Sequence, residues 1–155
     1  MSISLQELSD RREIEDLMVR YADRIDANDP DGAAACFAPD GIGNYWGVER
    51  GREAIAERLR GILRSFNATS HHLTNLQLQL NGDEATAQSY VYAFHRLRKT
   101  GKPMHYWGRW VDSLVRLDGE WLFAERTVVG IGSMNPGDPQ SDQEHLGHPG
   151  RLPHS

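Results

Sequence analysis

Ile14, Leu17, Met18, Tyr21, Ala22 and Ile25 recur at three- and four-residue steps. That spacing is one face of an amphipathic helix and predicts an element over about 5–27. Ser9 or Asp10 suits a cap for part of it, with Glu13 three residues after Asp10. Asp29 before Pro30 reads as an N-cap with proline at the first helical position, opening a short helix over about 30–37. Pro39 and the Asp40–Gly41 pair stop it, and 42–47 suits a short strand. A third helix, about 52–66, carries Ile55, Leu59, Ile62, Leu63 and Phe66 on one face.

The period then changes to two. Leu76, Leu78 and Leu80 alternate with Asn75, Gln77 and Gln79, which predicts a strand over 71–80. Asn81-Gly82-Asp83 is a hairpin signal, and further strands follow at about 84–98, 104–117 and 120–131, separated by short turns. Strands so joined form an antiparallel meander. Residues 132–155 are rich in Gly, Pro and polar side chains and lack a period, so they read as a disordered end or an arm on a neighbour. The expected architecture is α+β, one domain over 1–131. Three N-terminal helices pack on a strongly curved antiparallel sheet, a cone whose open end encloses an apolar pocket.

A chain of 155 residues suits this single domain. The net charge of −5 comes from scattered acids and gives no reason to expect nucleic acid or an anionic membrane as partner. Cys36 is the only cysteine, so no intrachain disulfide forms and a reducing compartment fits. The first residues are charged and lack the apolar core of a secretory signal, and no apolar run reaches the roughly 20 residues of a membrane span. A cytoplasmic protein is the expectation.

Three stretches carry a resemblance: "YADRIDANDPDGAAACFAPDG" at 21–41, "SHHLTNLQL" at 70–78 and "RWVDSLVRLDGEWLFAERTV" at 109–128. With the order of helices and strands, they resemble the SnoaL-like branch of the NTF2-like superfamily over about residues 8–131. The resemblance implies a cystatin-like α+β barrel, shaped as a cone. Within the superfamily the chain is similar to scytalone dehydratase, bile acid 7α-dehydratase and hexachlorocyclohexane dehydrochlorinase. These are cofactor-free lyases that use a His–Asp pair in the cone.

Carried over by motif, the aspartate falls on Asp26, the histidine on His71 and a hydrogen-bonding tyrosine on Tyr21. An arginine of the last strand matches Arg126, and His105 lies in the region of a second histidine. Helical projection places Asp26 at the edge of the apolar stripe of the first helix, where it can reach the pocket margin. Parity and motif rank the two adjacent histidines differently. Strand parity puts His72 on the face of Leu76, Leu78 and Leu80, whereas the motif points to His71; a bulge would reconcile them. His71 is assigned on the motif, with His72 as a neighbouring pocket candidate. Trp46, Tyr92 and Trp107 are candidate pocket walls for a flat apolar ligand.

The expected function is a cofactor-independent, dehydratase-type elimination on a small hydrophobic cyclic or polycyclic substrate. An isomerase or polyketide cyclase on the same pocket is the alternative, as is a non-catalytic ligand-binding or assembly subunit. Arg109 and Asp112 face opposite sides of one strand, which argues against an epoxide hydrolase. Adjacent histidines in a strand do not chelate together, so no metal is expected. A homo-oligomer, trimer or dimer, is expected through the aromatic outer face of the sheet.

Overall fold

The computed structural model describes residues 3–136. Helix α1 spans Leu5–Asp26. Its cap is Ser4, whose side chain accepts from the Glu7 amide while Glu7 reaches back to the Ser4 amide, a full capping box. Neither Ser9 nor Asp10 caps it. Asp10 lies inside the helix, buried, and receives a two-pronged hydrogen bond from Arg116 at 2.7 and 2.9 Å. The predicted stripe from Ile14 to Ile25 is the buried face. Asn28, in the left-handed region with φ 55°, ends the turn, and Asp29 caps α2, Pro30–Ala34.

The chain then enters β1, Phe37–Asn44, well before the predicted start of that strand. Pro39 and Gly41 do not end structure here; they lie within an irregular strand whose pairing shifts between Phe37 and Ile42. A three-residue β2, Val48–Arg50, turns back on β1 and was not legible in the sequence. Helix α3 runs Arg52–Leu63 and buries Ile55, Ala56, Leu59 and Leu63. Four long strands follow: β3 Phe66–Asn81, β4 Glu84–Leu97, β5 Pro103–Leu117 and β6 Glu120–Met134. The last extends past 131 into the stretch read as tail; the rest of that tail, 137–155, lies outside the described residues.

All six strands form one sheet in the order β2-β1-β6-β5-β4-β3. The four long strands make the expected antiparallel meander, but β1 pairs parallel to β6, so the sheet is mixed. The helices and hairpins between β1 and β6 supply the long connection that a parallel neighbour requires. At the β5–β6 turn Asp118 and Gly119 both take positive φ, 50° and 84°, the backbone of a hairpin turn whose twist matches the strands.

Bulges bend this sheet into the cone. Asn75 and Leu76 together oppose Ser89, and Asn75 sits at φ 52°. On β6 the pairing shifts again around Ala124 and around Ile131. Each extra residue raises the local twist and resets which side chains face in. The inward face of β4 is lined by small residues, Ala85, Ala87, Val91 and Ala93, which leave room beneath the helices. The core is closed by Trp110, Leu114, Trp121 and Phe123 from β5 and β6.

Candidate active site

The bulge at Asn75 settles which histidine faces inward. Upstream of it, His71 and Leu73 share the inner face with Ala93 and Val91; downstream, Leu76, Leu78 and Leu80 take that face. The count by twos across 71–80 fails by the one extra residue. His71 therefore points into the cone, and its neighbour His72 points out, bonded to Ser70 Oγ at 3.1 Å and set against the Tyr92 ring.

Strand β3 is an edge of the sheet, so half of its backbone groups lack a strand partner. The end of α1 covers that edge at His71. Asp26, the last residue of the helix, accepts the His71 backbone N–H on Oδ2 at 2.8 Å. Its Oδ1 accepts from the Thr69 hydroxyl at 2.8 Å and from His71 Nδ1 at 2.7 Å. Burial pushes the Asp26 carboxyl up, but the bonds from the His71 ring, the His71 amide and Thr69 outweigh it and hold its pKa below the usual value. Asp26 is thus an ionised acceptor, so His71 Nδ1 donates to it, and the neutral form of the ring carries its lone pair on Nε2.

His71 opens onto a cavity of about 130 Å³. Ile25, Leu59, Ile62, Leu63, Val91 and Val128 give it apolar walls, and Tyr21, Tyr45, Trp46, Tyr106 and Trp110 surround them with aromatic rings. A wider hollow of about 740 Å³, near Asp40, Arg50 and Glu84, is open to solvent and lies away from the His71–Asp26 pair. Trp46 stands at the mouth, 64% exposed and in the left-handed region with φ 59°, its ring edge-on to Tyr106. Arg58 holds the turn beneath it by donating to the Tyr45 carbonyl at 2.7 Å.

Tyr21 reaches the cavity from the centre of the α1 stripe, and its hydroxyl shares a 2.8 Å hydrogen bond with the Tyr45 hydroxyl. Burial pushes the Tyr21 phenol up to about 12, against the pull of the Arg126 charge, so it stays a donor. Arg126 does point inward, but it does not reach the cavity. It is fully buried behind Tyr21 and Trp110, its guanidinium 4.3 and 4.1 Å from their ring centres. Asp112 holds it through two bonds of 2.7 Å. Arg126, expected on substrate, therefore lies beneath the cavity floor, where its charge opposes the upward push of burial on the Tyr21 and Tyr45 phenols.

Four other candidates lie elsewhere. His72, Tyr92, His105 and Trp107 sit together on the outer face of the sheet, where Tyr92 and His105 share a 2.7 Å hydrogen bond and the His105 and Trp107 rings stack. None of the four lines the cavity. Parity explains the misplacement: on β4 the even-numbered residues face out. The same parity puts His95 inside, edge-on to His71 with 5.5 Å between ring centres. The signal for it in the sequence is a histidine in phase with Ala85, Ala87, Val91 and Ala93. Burial drops the His95 pKa to about 4, helped by the adjacent His71, so this ring is neutral. Among the described residues, no three His, Cys, Asp or Glu side chains converge as metal ligands would. No helix there is long and apolar enough to cross a membrane.

The arrangement resembles known proteins. A model of the SnoaL-like domain matches residues 6–127. An uncharacterized protein of Mycobacterium tuberculosis, Rv2910c, is 31% identical over 130 residues, covering 80% of this chain and 87% of its own. The structure of a candidate scytalone dehydratase from Novosphingobium aromaticivorans superposes with a TM-score of 0.80 at 30% identity, covering 94% of this chain and 97% of that one. A hexachlorocyclohexane dehydrochlorinase, LinA type 3 from Novosphingobium barchaimii, shares the fold, with a TM-score of 0.79 at 18% identity over 86% of this chain and 94% of that one. With its helices, curved sheet and matched length, the chain belongs to the SnoaL-like domain family and has the NTF2-like fold.

Proposed function

We propose that this protein is a cofactor-independent lyase that eliminates HX, with X a hydroxyl or a halide, from a small apolar ring compound. The observation that carries the reading is the His71–Asp26 hydrogen bond of 2.7 Å opening onto an apolar cavity. Nε2 of His71 takes a proton from a ring carbon. The electron pair of that C–H bond becomes the new C=C bond, and the C–X bond breaks with its pair on X. A hydroxyl leaves as water on receiving the proton back from the imidazolium. A halide leaves as the anion, and the imidazolium loses its proton to solvent. Asp26 positions the ring and stabilises its charged form. The Tyr21–Tyr45 pair donates to the charge that develops on the leaving group or on an enolate oxygen.

Size narrows the substrate. An apolar cavity on the order of 150 Å³ admits benzene, and this one has about 130 Å³. That supports a single ring over a polycycle. The names of structural neighbours, a candidate dehydratase and a dehydrochlorinase, agree with elimination.

The test is a panel of small monocyclic β-hydroxy ketones and monohalocyclohexanes, with products followed by mass spectrometry. Loss of HX is expected from at least one compound. His71→Ala and Asp26→Asn are each expected to lower its rate by about a hundredfold or more. Undiminished turnover in His71→Ala overturns the assignment, and a shifted double bond without loss of X makes the protein an isomerase.

A further inference from the structure

Among the described residues, three hydrogen bonds hold the Asp26 carboxylate, and they come from one short stretch of β3. The His71 amide donates to Oδ2 at 2.8 Å. The His71 ring donates to Oδ1 at 2.7 Å. The Thr69 hydroxyl donates to that same Oδ1 at 2.8 Å, and it is the one donor of the three that lies outside His71.

The use of this third bond follows from the placement of Asp26. It is the last residue of α1, and its side chain is 27% exposed, against 12% for His71. The amide fixes Oδ2. A carboxylate fixed at one oxygen still pivots, and the pivot carries Oδ1, the oxygen that faces the ring. The ring cannot stop this motion, because its own tautomer and direction depend on the same oxygen. Thr69 can. It stands opposite His95 in the strand pair, two places before His71 and on the same face. Its side chain is branched at Cβ and has few rotamers, so holding the hydroxyl toward the helix end costs little entropy. Thr69 does not line the cavity.

We propose that Thr69 is a positioning residue for the base: its hydroxyl fixes Asp26 Oδ1, and Asp26 in turn fixes the Nδ1–H tautomer and the direction of the His71 ring. This rests on the reading above that His71 is the base. It adds a residue that acts on the base through the carboxylate.

The Nδ1 proton of His71 tests this without any substrate. It exchanges with water when its bond to Asp26 opens, so its exchange rate in protein labelled with ¹⁵N-histidine measures how often the pair comes apart. Thr69→Val keeps the branched shape and deletes the hydroxyl. It is expected to speed that exchange about tenfold, the scale of one hydrogen bond to a charged group, and Thr69→Ser is expected to restore most of the protection. The amides of Val91 and Ala93, on the strand beside β3, should exchange as before. An unchanged Nδ1 exchange rate in Thr69→Val overturns the proposal. So does an equal acceleration at Val91 and Ala93, which would make Thr69 a support of the sheet alone, or a Thr69→Ser protein as fast as Thr69→Val. No ligand enters this measurement, so its outcome is separate from that of the lyase, which loss of HX from the panel decides.

Discussion

At the scale of single residues, two histidines 5.5 Å apart between ring centres are given opposite characters by their partners. His71 has a carboxylate on Nδ1; His95 has Phe66 against its ring and no partner on Nδ1. The second environment ties stability to pH. The folded His95 titrates at about 4, below its ordinary 6.5. Between those values the unfolded chain binds the extra proton, so the contribution is complete above about pH 6.5 and lost as pH falls toward 4. Its size follows from the shift, about 3 kcal/mol over the window. Urea unfolding at pH 7, 5.5 and 4 should show that decline, and His95→Phe should flatten it. The lowered Asp26 adds a separate loss only at still lower pH, where its carboxylate protonates.

At the scale of elements, β3 shows both the reach and the limit of sequence patterns. Asn75 accepts φ 52° because its short polar side chain tolerates the left-handed region. Asn75→Gly should be nearly neutral in urea, whereas Asn75→Val should lower stability by about 1–2 kcal/mol, the cost of a branched residue in that region. A midpoint unchanged by Asn75→Val would show that the bulge is not strained. Periodicity and turn signals revealed α1, α3 and the four strands of the meander, because each buries one face against the core. Periodicity missed the bulge, since a period of two has no place for an extra residue, and so it set His72 rather than His71 among the leucines. It missed Phe66–Ser70 of β3, where burial does not alternate cleanly, and all of β2, which is only three residues long. The His71–Asp26 pair was legible only through the family motif. Tyr106 and the Asp112 partner of Arg126 required knowing which strands are neighbours, whereas His95 is marked by its phase with the alanines of its own strand.

At the scale of the whole molecule, the Arg126–Asp112 pair lies in the centre of the core with no solvent contact. Three rings cover the guanidinium, the nearest that of Phe123 at 3.9 Å. Removing one partner leaves the other charged and unpaired in a poorly polarisable interior. Arg126→Met should therefore lower unfolding free energy by about 3–5 kcal/mol, and Arg126→Met with Asp112→Leu should recover much of it. Chemical denaturation of the three proteins decides this, and a double variant no better than the single would show that the pair is not the cause.

The clasp between helix end and sheet margin has a further consequence. One carboxylate both orients the imidazole and tethers the strand that carries it, across 45 positions of chain. Any thermal fluctuation that lifts the last turn of the helix disarms the base and frees the border of the sheet in one motion. Such partial openings need less energy than complete unfolding. Catalytic competence should then fade on warming while most of the molecule is still folded, and amide exchange at His71 should quicken in step with that decline.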